Sequence, residues 1–173
     1  MFTGKDHRNK SIVSLTDGKL LGEVKDFYLD AQLTRLAAAF TGKEGLLSRK
    51  TFAVARGSIK VLGIDVWLAS GPDAVVNLET IEGHEDLIKF DDVRGREITT
   101  EGGSKIATVD DVIFDGEGKV LGFALSKVLV PGPLSERKAI HRLAITSCGG
   151  DKIPMVAVMT QAEALVVTDA PAA

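Results

Sequence analysis

The chain of 173 residues has one cysteine, Cys148, so an intrachain disulfide and any multi-cysteine zinc site are excluded. It has no long apolar segment. The five residues Leu36–Phe40 form as long a run as any, far short of the roughly 20 needed to cross a bilayer as a helix. The first ten residues, MFTGKDHRNK, are polar and lack the apolar core of a signal peptide, so a cytoplasmic protein is expected. Aromatic side chains are few, with seven Phe, one Tyr and one Trp, which leaves little for base-stacking platforms. There is no basic excess either. The net charge of -3 disfavours phosphate backbones, and generic nucleic-acid binding is expected to be weak at physiological salt. No phosphate-loop, dinucleotide-binding or nucleophile-elbow pattern occurs.

What the chain does have is glycine, 18 residues of it, against an ordinary 45% hydrophobic and 26% charged composition. It also repeats itself. Thr16–Phe40 lies over Glu101–Leu125 without a gap, with Gly18/Gly103, Val24/Val109, Asp26/Asp111, Asp30/Asp115, Leu36/Leu121 and Ala39/Ala124 identical. Further on, Leu47–Lys50 answers Leu134–Lys138, Ile59–Asp65 answers Ile145–Asp151, and Ala74–Val76 answers Ala164–Val166. The order of matches reads as a duplication. Each unit is marginal in size alone, so closely docked halves are expected. The reading divides the chain into residues 1–79, a linker over 80–92, residues 93–168, and a frayed tail at 169–173.

The local signals are β. Asp115-Gly116-Glu117-Gly118 between two apolar runs is a hairpin link, and Asp30–Thr34 takes the same place with poorer turn chemistry. Gly18 and Gly103 mark earlier turns, and Pro131-Gly132-Pro133 must be a loop. Ala-rich composition over Leu33–Phe40 favours helix, but its alignment with Val120–Leu125 decides for a strand. The expected fold is all-β: two small, mostly antiparallel barrels. Val24, Phe27, Leu29, Val109, Val112 and Phe114 are expected to fill the interiors.

Val93–Ile98, Gly102-Gly103, Ile106–Asp115 and Gly118–Gly122 together resemble the PRC-barrel domain, and Lys10–Asp30 is similar with the hairpin glycines lost. Ile59–Asp65 and Ile145–Asp151 resemble the family's I-x-x-x-G-x-D turn. Two copies would cover nearly the whole chain. The family includes the cytoplasmic domain of the photosynthetic reaction-centre H subunit and the C-terminal domain of the ribosome maturation factor. The resemblance implies closed barrels of about six strands that act as interaction modules rather than enzymes, with no cofactor. It leaves three roles open: binding of a protein partner or self-association, association with RNA or the ribosome, and peripheral attachment to a membrane complex.

The repeated aspartates are weighed first as chemistry. On a strand, i and i+4 face the same way about 13 Å apart, too far for the carboxyl pair of a glycosidase. Turn capping by Asp30 and Asp115, and similar work at a bulge by Asp26 and Asp111, is the simpler reading. His84 with Glu85 and Asp86 offers adjacent ligands that diverge on an extended chain, so no metal site is expected. Cys148 aligns with Leu62 and reads as a small buried hydrophobe. For partner binding the sequence offers two basic loops at equivalent positions, Gly42–Lys50 with Lys43, Arg49 and Lys50, and Pro131–Lys138 with Arg137 and Lys138. Trp67 reads equally as core or as an interface anchor.

Overall fold

Short apolar runs punctuated by glycine and aspartate turns give short strands throughout. The computed structural model describes residues 1–44 and 50–168. In chain order the first half carries β1 (Phe2–Thr3), α1 (Gly4–His7), β2 (Ser11–Ser14), β3 (Leu20–Glu23), β4 (Asp26–Leu29), β5 (Leu36–Glu44), β6 (Lys50–Ala55), β7 (Ile59–Leu62), β8 (Val66–Ala69) and β9 (Val75–Asn77). The second carries β10 (Ile88–Lys89), α2 (Phe90–Val93), β11 (Glu97–Thr100), β12 (Lys105–Phe114), β13 (Val120–Ser126), α3 (Pro133–Arg137), β14 (Ala139–His141), β15 (Ile145–Ser147), β16 (Met155–Ala157) and α4 (Met159–Ala164). Residues 169–173, expected as a frayed tail, lie outside the described residues.

The protein is predominantly β, but its sheets are open. The strand orders are β3-β2-β8-β7, β10-β4-β5-β6-β9 and β14-β13-β12-β11-β16-β15, with β1 added beside β12; none closes into a barrel among the described residues. The two closed barrels expected from the sequence are therefore not what the hydrogen bonding forms. In the first half the reason is local. Val24 N–H donates to Lys10 and the next amide, Lys25 N–H, donates to Phe40, so the backbone changes sheet between β3 and β4. In the second half β12 stays continuous across a register shift between Val109 and Asp111.

The same pairing pattern recurs in both halves. β2 lies antiparallel to β3 and parallel to β8, and β11 lies antiparallel to β12 and parallel to β16. The leading arms cross over. Phe2 and Thr3 of β1 pair with Phe114 and Ile113 of β12, while Ile88 and Lys89 of β10 pair with Leu29 and Tyr28 of β4. Each arm thus completes the sheet of the other half. The segment expected as a linker, 80–92, is consequently structural: it contains β10 and α2, and Phe90 is fully buried.

The hairpin tips are locked together. Asp30 Oδ1 accepts the N–H groups of Thr34 (2.6 Å) and Arg35 (3.1 Å), and Asp115 Oδ1 accepts those of Glu117 and Lys119 (both 2.9 Å). Leu33 takes the left-handed conformation of its counterpart Gly118, with φ of 52° and 78°. An L side chain there costs energy, and full burial of Leu33 opposes that cost. The first tip is one residue longer. Tyr28 faces Ala38 whereas Ile113 faces Gly122, so the ungapped register slips by one after the turn and the Leu36/Leu121 and Ala39/Ala124 identities are not positional equivalents. Across the halves, Leu36 N–H donates to Gly118 O at 2.7 Å and Val120 N–H to Thr34 O at 2.8 Å.

Two arginines clamp these tips reciprocally. Arg56 donates to Glu117 O through Nε (3.1 Å) and Nη2 (2.9 Å), and Arg142 donates through Nε to Leu33 O (3.0 Å) and through Nη2 to Gln32 O (2.5 Å). Hydrogen bonds from a charged donor to carbonyls are worth more than neutral ones, and Arg142→Ala should cost about 2 kcal/mol. Arg142→Lys should recover only part of it, because an ammonium lacks the planar fork. Denaturant midpoints check both expectations; equal stability of wild type and Arg142→Ala would refute the clamp.

One continuous core runs through both halves. It includes Val24, Phe27, Leu29, Val109, Val112 and Phe114, the residues expected inside. A small separate cluster of Tyr28, Ala38 and Ala53 lies on the other face of β4–β6, and Leu78, Ile81 and Leu87 pack over it.

Candidate interaction surface

The sequence-derived binding residues divide. Lys43 on β5, Lys50 on β6 and Lys138 after α3 are exposed, and Arg49 lies outside the described residues. Arg137 does not project as a free charge. Its guanidinium donates to the carbonyls of Ala162 (3.0 Å), Glu163 (2.7 Å) and Leu165 (3.2 Å), tying α3 to the end of α4. Trp67 is 1% exposed, and its Nε1–H donates to His7 Nδ1 at 2.9 Å. A tryptophan buried on the inner face of β8 is core, so the interface-anchor reading is corrected. The two basic loops are also more regular than expected, since Gly42–Glu44 and Lys50 are strand and Pro133–Arg137 is helix.

Asp26 and Asp111 are buried and structural. Asp111 Oδ1 accepts Val112 N–H at 2.8 Å and Oδ2 accepts Lys5 N–H of α1 at 3.2 Å, at the register shift of β12. Asp26 Oδ1 accepts Phe27 N–H at 2.9 Å and Arg8 Nη2 at 3.1 Å. Burial pushes both carboxyls above the usual range despite these donors. Cys148 donates its thiol to Gln32 O at 3.1 Å, and burial raises its pKa, against the neighbouring Arg142 and Arg96, away from thiolate chemistry. No grouping of three or more His, Cys, Asp or Glu placed to hold a metal occurs among the described residues. No helix among them is long and apolar enough to cross a membrane.

A groove of about 620 Å³ lies between α2, the start of β11 and the 150–154 turn, and carries charges of both signs. Its arginines are committed to the protein: Arg94 Nε donates to Asp110 O, and Arg96 donates to Asp92 O and Cys148 O. What remains is a cleft in which Arg94 and Arg96 already have acceptors, exposed Lys152 stands at the rim, and Leu87, Ile88, Ile153 and Pro154 line the wall.

A surface of different character lies on the outer face of β3-β2-β8-β7. Val13 stands opposite Leu20 on one side and Leu68 on the other, and Leu68 stands opposite Val61. These four side chains form an apolar row across the sheet. Leu20 is 65% and Val61 45% exposed, with Val13 and Leu68 half-buried. Val66 and Ile64 extend the patch, at 36% and 74%. Ile12, Trp67 and Ala69 point to the opposite side and are fully buried. In the second half the corresponding row is Lys105, Thr99, Val156 and Ser147, three of its four members polar. The same architecture is thus greasy outside in one half and hydrophilic in the other. Sequence reasoning missed this surface, although Ile12-Val13 and Val66–Ala69 give a signal: consecutive apolar residues on a short strand fill both of its faces.

No match to the chain is found among the curated proteins. Residues 85–169 match the family model of the PRC-barrel domain, a span that takes in the crossing arm β10–α2 as well as the second-half strands. One PRC-barrel domain is therefore found in this chain, over residues 85–169.

Proposed function

We propose that the chain is a non-enzymatic protein-interaction module, built of two PRC-type units by duplication, whose partner binds the outer face of β3-β2-β8-β7. The observation that carries this reading is the contrast between the Leu20–Val13–Leu68–Val61 row and its polar counterpart in the second half. Exposed large apolar side chains in one contiguous patch mark interaction surfaces in soluble proteins. The recurrence of the pairing pattern, the crossed arms and the reciprocal arginine clamps supports a duplicated origin, and the family match supports a binding role. Exposed Lys43, Lys50 and Lys138 are the competing surface.

Affinity purification of the tagged chain at native abundance, with mass spectrometry and reconstitution of the complex from purified components, tests the reading. A stoichiometric protein partner is expected. Recovery of nothing above a mock-tagged control would overturn it, and recovery of ribosomal RNA would favour the ribosome-associated alternative. If the partner is lost on reversing Lys43, Lys50 and Lys138 to Glu, the module stands and the surface moves to the lysines.

A further inference from the structure

We infer that the occupant of the β3-β2-β8-β7 face is a single amphipathic helix of a partner protein, lying across the strands with an apolar stripe seated on Leu20, Val13, Leu68 and Val61. The inference rests on the interaction-module reading and specifies its partner.

Size makes the first argument. Four strands about 4.8 Å apart span roughly 19 Å, and three residues along each add about 10 Å, a footprint on the order of 200 Å². A stable dimer buries about 800 Å² per partner, so two copies meeting through this face fall well short. A helix is about 10 Å in diameter and rises 1.5 Å per residue, so roughly 13 residues cover the row from end to end. Spacing makes the second. The four side chains recur at the inter-strand distance of about 4.8 Å, close to the 5.4 Å pitch at which one helix face repeats.

Charge makes the third argument. The rim carries both signs: Lys19 pairs with Asp17 at 3.2 Å and Lys25 with Glu23, and Lys60 and Asp65 stand exposed beside Val61 and Val66. Such a mixed rim favours neither a strongly acidic nor a strongly basic ligand, so apolar contact carries the binding. The chain itself supplies the precedent. Another outward sheet face, at Tyr28, Ala38 and Ala53, is closed by Leu78 and Ile81, three residues apart around a 3-10 turn, together with Leu87. A sheet face of this protein is thus already covered by a segment with helical spacing.

The probe is a 15-residue Leu/Ala/Lys/Glu peptide with leucines at i, i+4, i+7 and i+11, beside a control of identical composition whose leucines share no helical face. Both are titrated into the full chain carrying labelled methyl groups. Saturable shifts are expected at Val13, Leu20, Val61 and Leu68, with binding about tenfold weaker for the control and for Leu20→Lys/Val61→Lys, in line with loss of a buried apolar anchor. Both positions are exposed, so the double variant should keep its unfolding midpoint, and Leu20→Ala/Val61→Ala gives a milder readout if it does not. Equal binding of the two peptides, shifts only in the 620 Å³ groove, or no shift at about 1 mM peptide would overturn the inference. So would sedimentation as a dimer that Leu20→Lys dissociates, or Leu20-dependent binding to phosphatidylcholine vesicles. If the reconstituted natural partner still binds the double variant, the helix-on-sheet inference fails while the module reading survives.

Discussion

Replacing Phe90 by alanine should cost about 3–5 kcal/mol, the range for emptying a packed aromatic site, and should lower the stability of both halves together. Phe90 is fully buried in α2. Its ring stacks on Phe27 with centroids 4.4 Å apart, and the guanidinium carbons of Arg8 and Arg94 lie 5.1 and 5.7 Å from its centre. It also fills the space above Gly4, where a Cβ would come within 2.3 Å of the ring. Phe27 belongs to a first-half strand, Gly4 to the arm that completes the second-half sheet, and Phe90 to the arm that completes the first. One side chain therefore joins all three, and its loss cannot be confined to one half. Urea unfolding followed by Trp67 fluorescence and by far-ultraviolet circular dichroism should give one coincident, shifted transition, with Phe90→Leu losing less. A loss below about 1 kcal/mol, or separate transitions for the two probes, would contradict the account.

Acidification should weaken the fold through His7. This imidazole is 2% exposed, and its Nδ1 accepts the Trp67 Nε1–H at 2.9 Å, with Lys10 Nζ 3.4 Å from the same nitrogen. Nδ1 is thereby an acceptor and the ring is neutral, its proton on Nε2, which has no hydrogen-bond partner among the described residues. Burial first and the Lys10 charge second pull the pKa from 6.5 down to about 4, against a smaller opposing effect of Asp6. Between those values the unfolded chain takes up a proton that the folded chain refuses, so stability falls as the pH drops from about 6.5 to 4 and is unaffected by this group above 6.5. The full loss is on the order of 3 kcal/mol, from 1.36 kcal/mol per pH unit. Asp26 and Asp111, whose pKa values are raised, act in the opposite sense as the pH falls toward the ordinary carboxylate value. Denaturation midpoints between pH 7 and 4.5 should show the slope, and His7→Gln, which retains an acceptor and cannot titrate, should flatten it. An unchanged slope in that variant would assign the acid sensitivity elsewhere.

Much of the local structure is legible in the residues. Asp30 and Asp115 cap their hairpins as their place before the turns implies, Gly18 and Gly103 adopt φ of 70° and 82° in the turns they mark, and Leu36–Phe40 is strand despite its alanines. These features depend on neighbours within a few positions, where turn chemistry and strand pattern are decisive. The His7–Trp67 hydrogen bond, the Asp111–Lys5 contact and the crossed arms join positions 59 to 112 residues apart, and nothing local encodes them. Arg137 and Lys43 look alike in sequence as loop cations, and only the carbonyls at the end of α4 set Arg137 apart.

The sequence by itself determined a β-rich chain of short strands, where most of its turns fall, and a stretch over residues 85–169 that matches the PRC-barrel domain. Tertiary structure decided which sides of those strands are inside. Ile12-Val13 and Val66-Trp67-Leu68-Ala69 have no polar alternation, so both faces are apolar and either could have been core. The packing of Trp67 against His7 and of Ile12 into the common core turns Val13 and Leu68 outward. The candidate surface therefore exists because two apolar faces compete for one interior, and only the interior that the two halves build together can settle which is left in water.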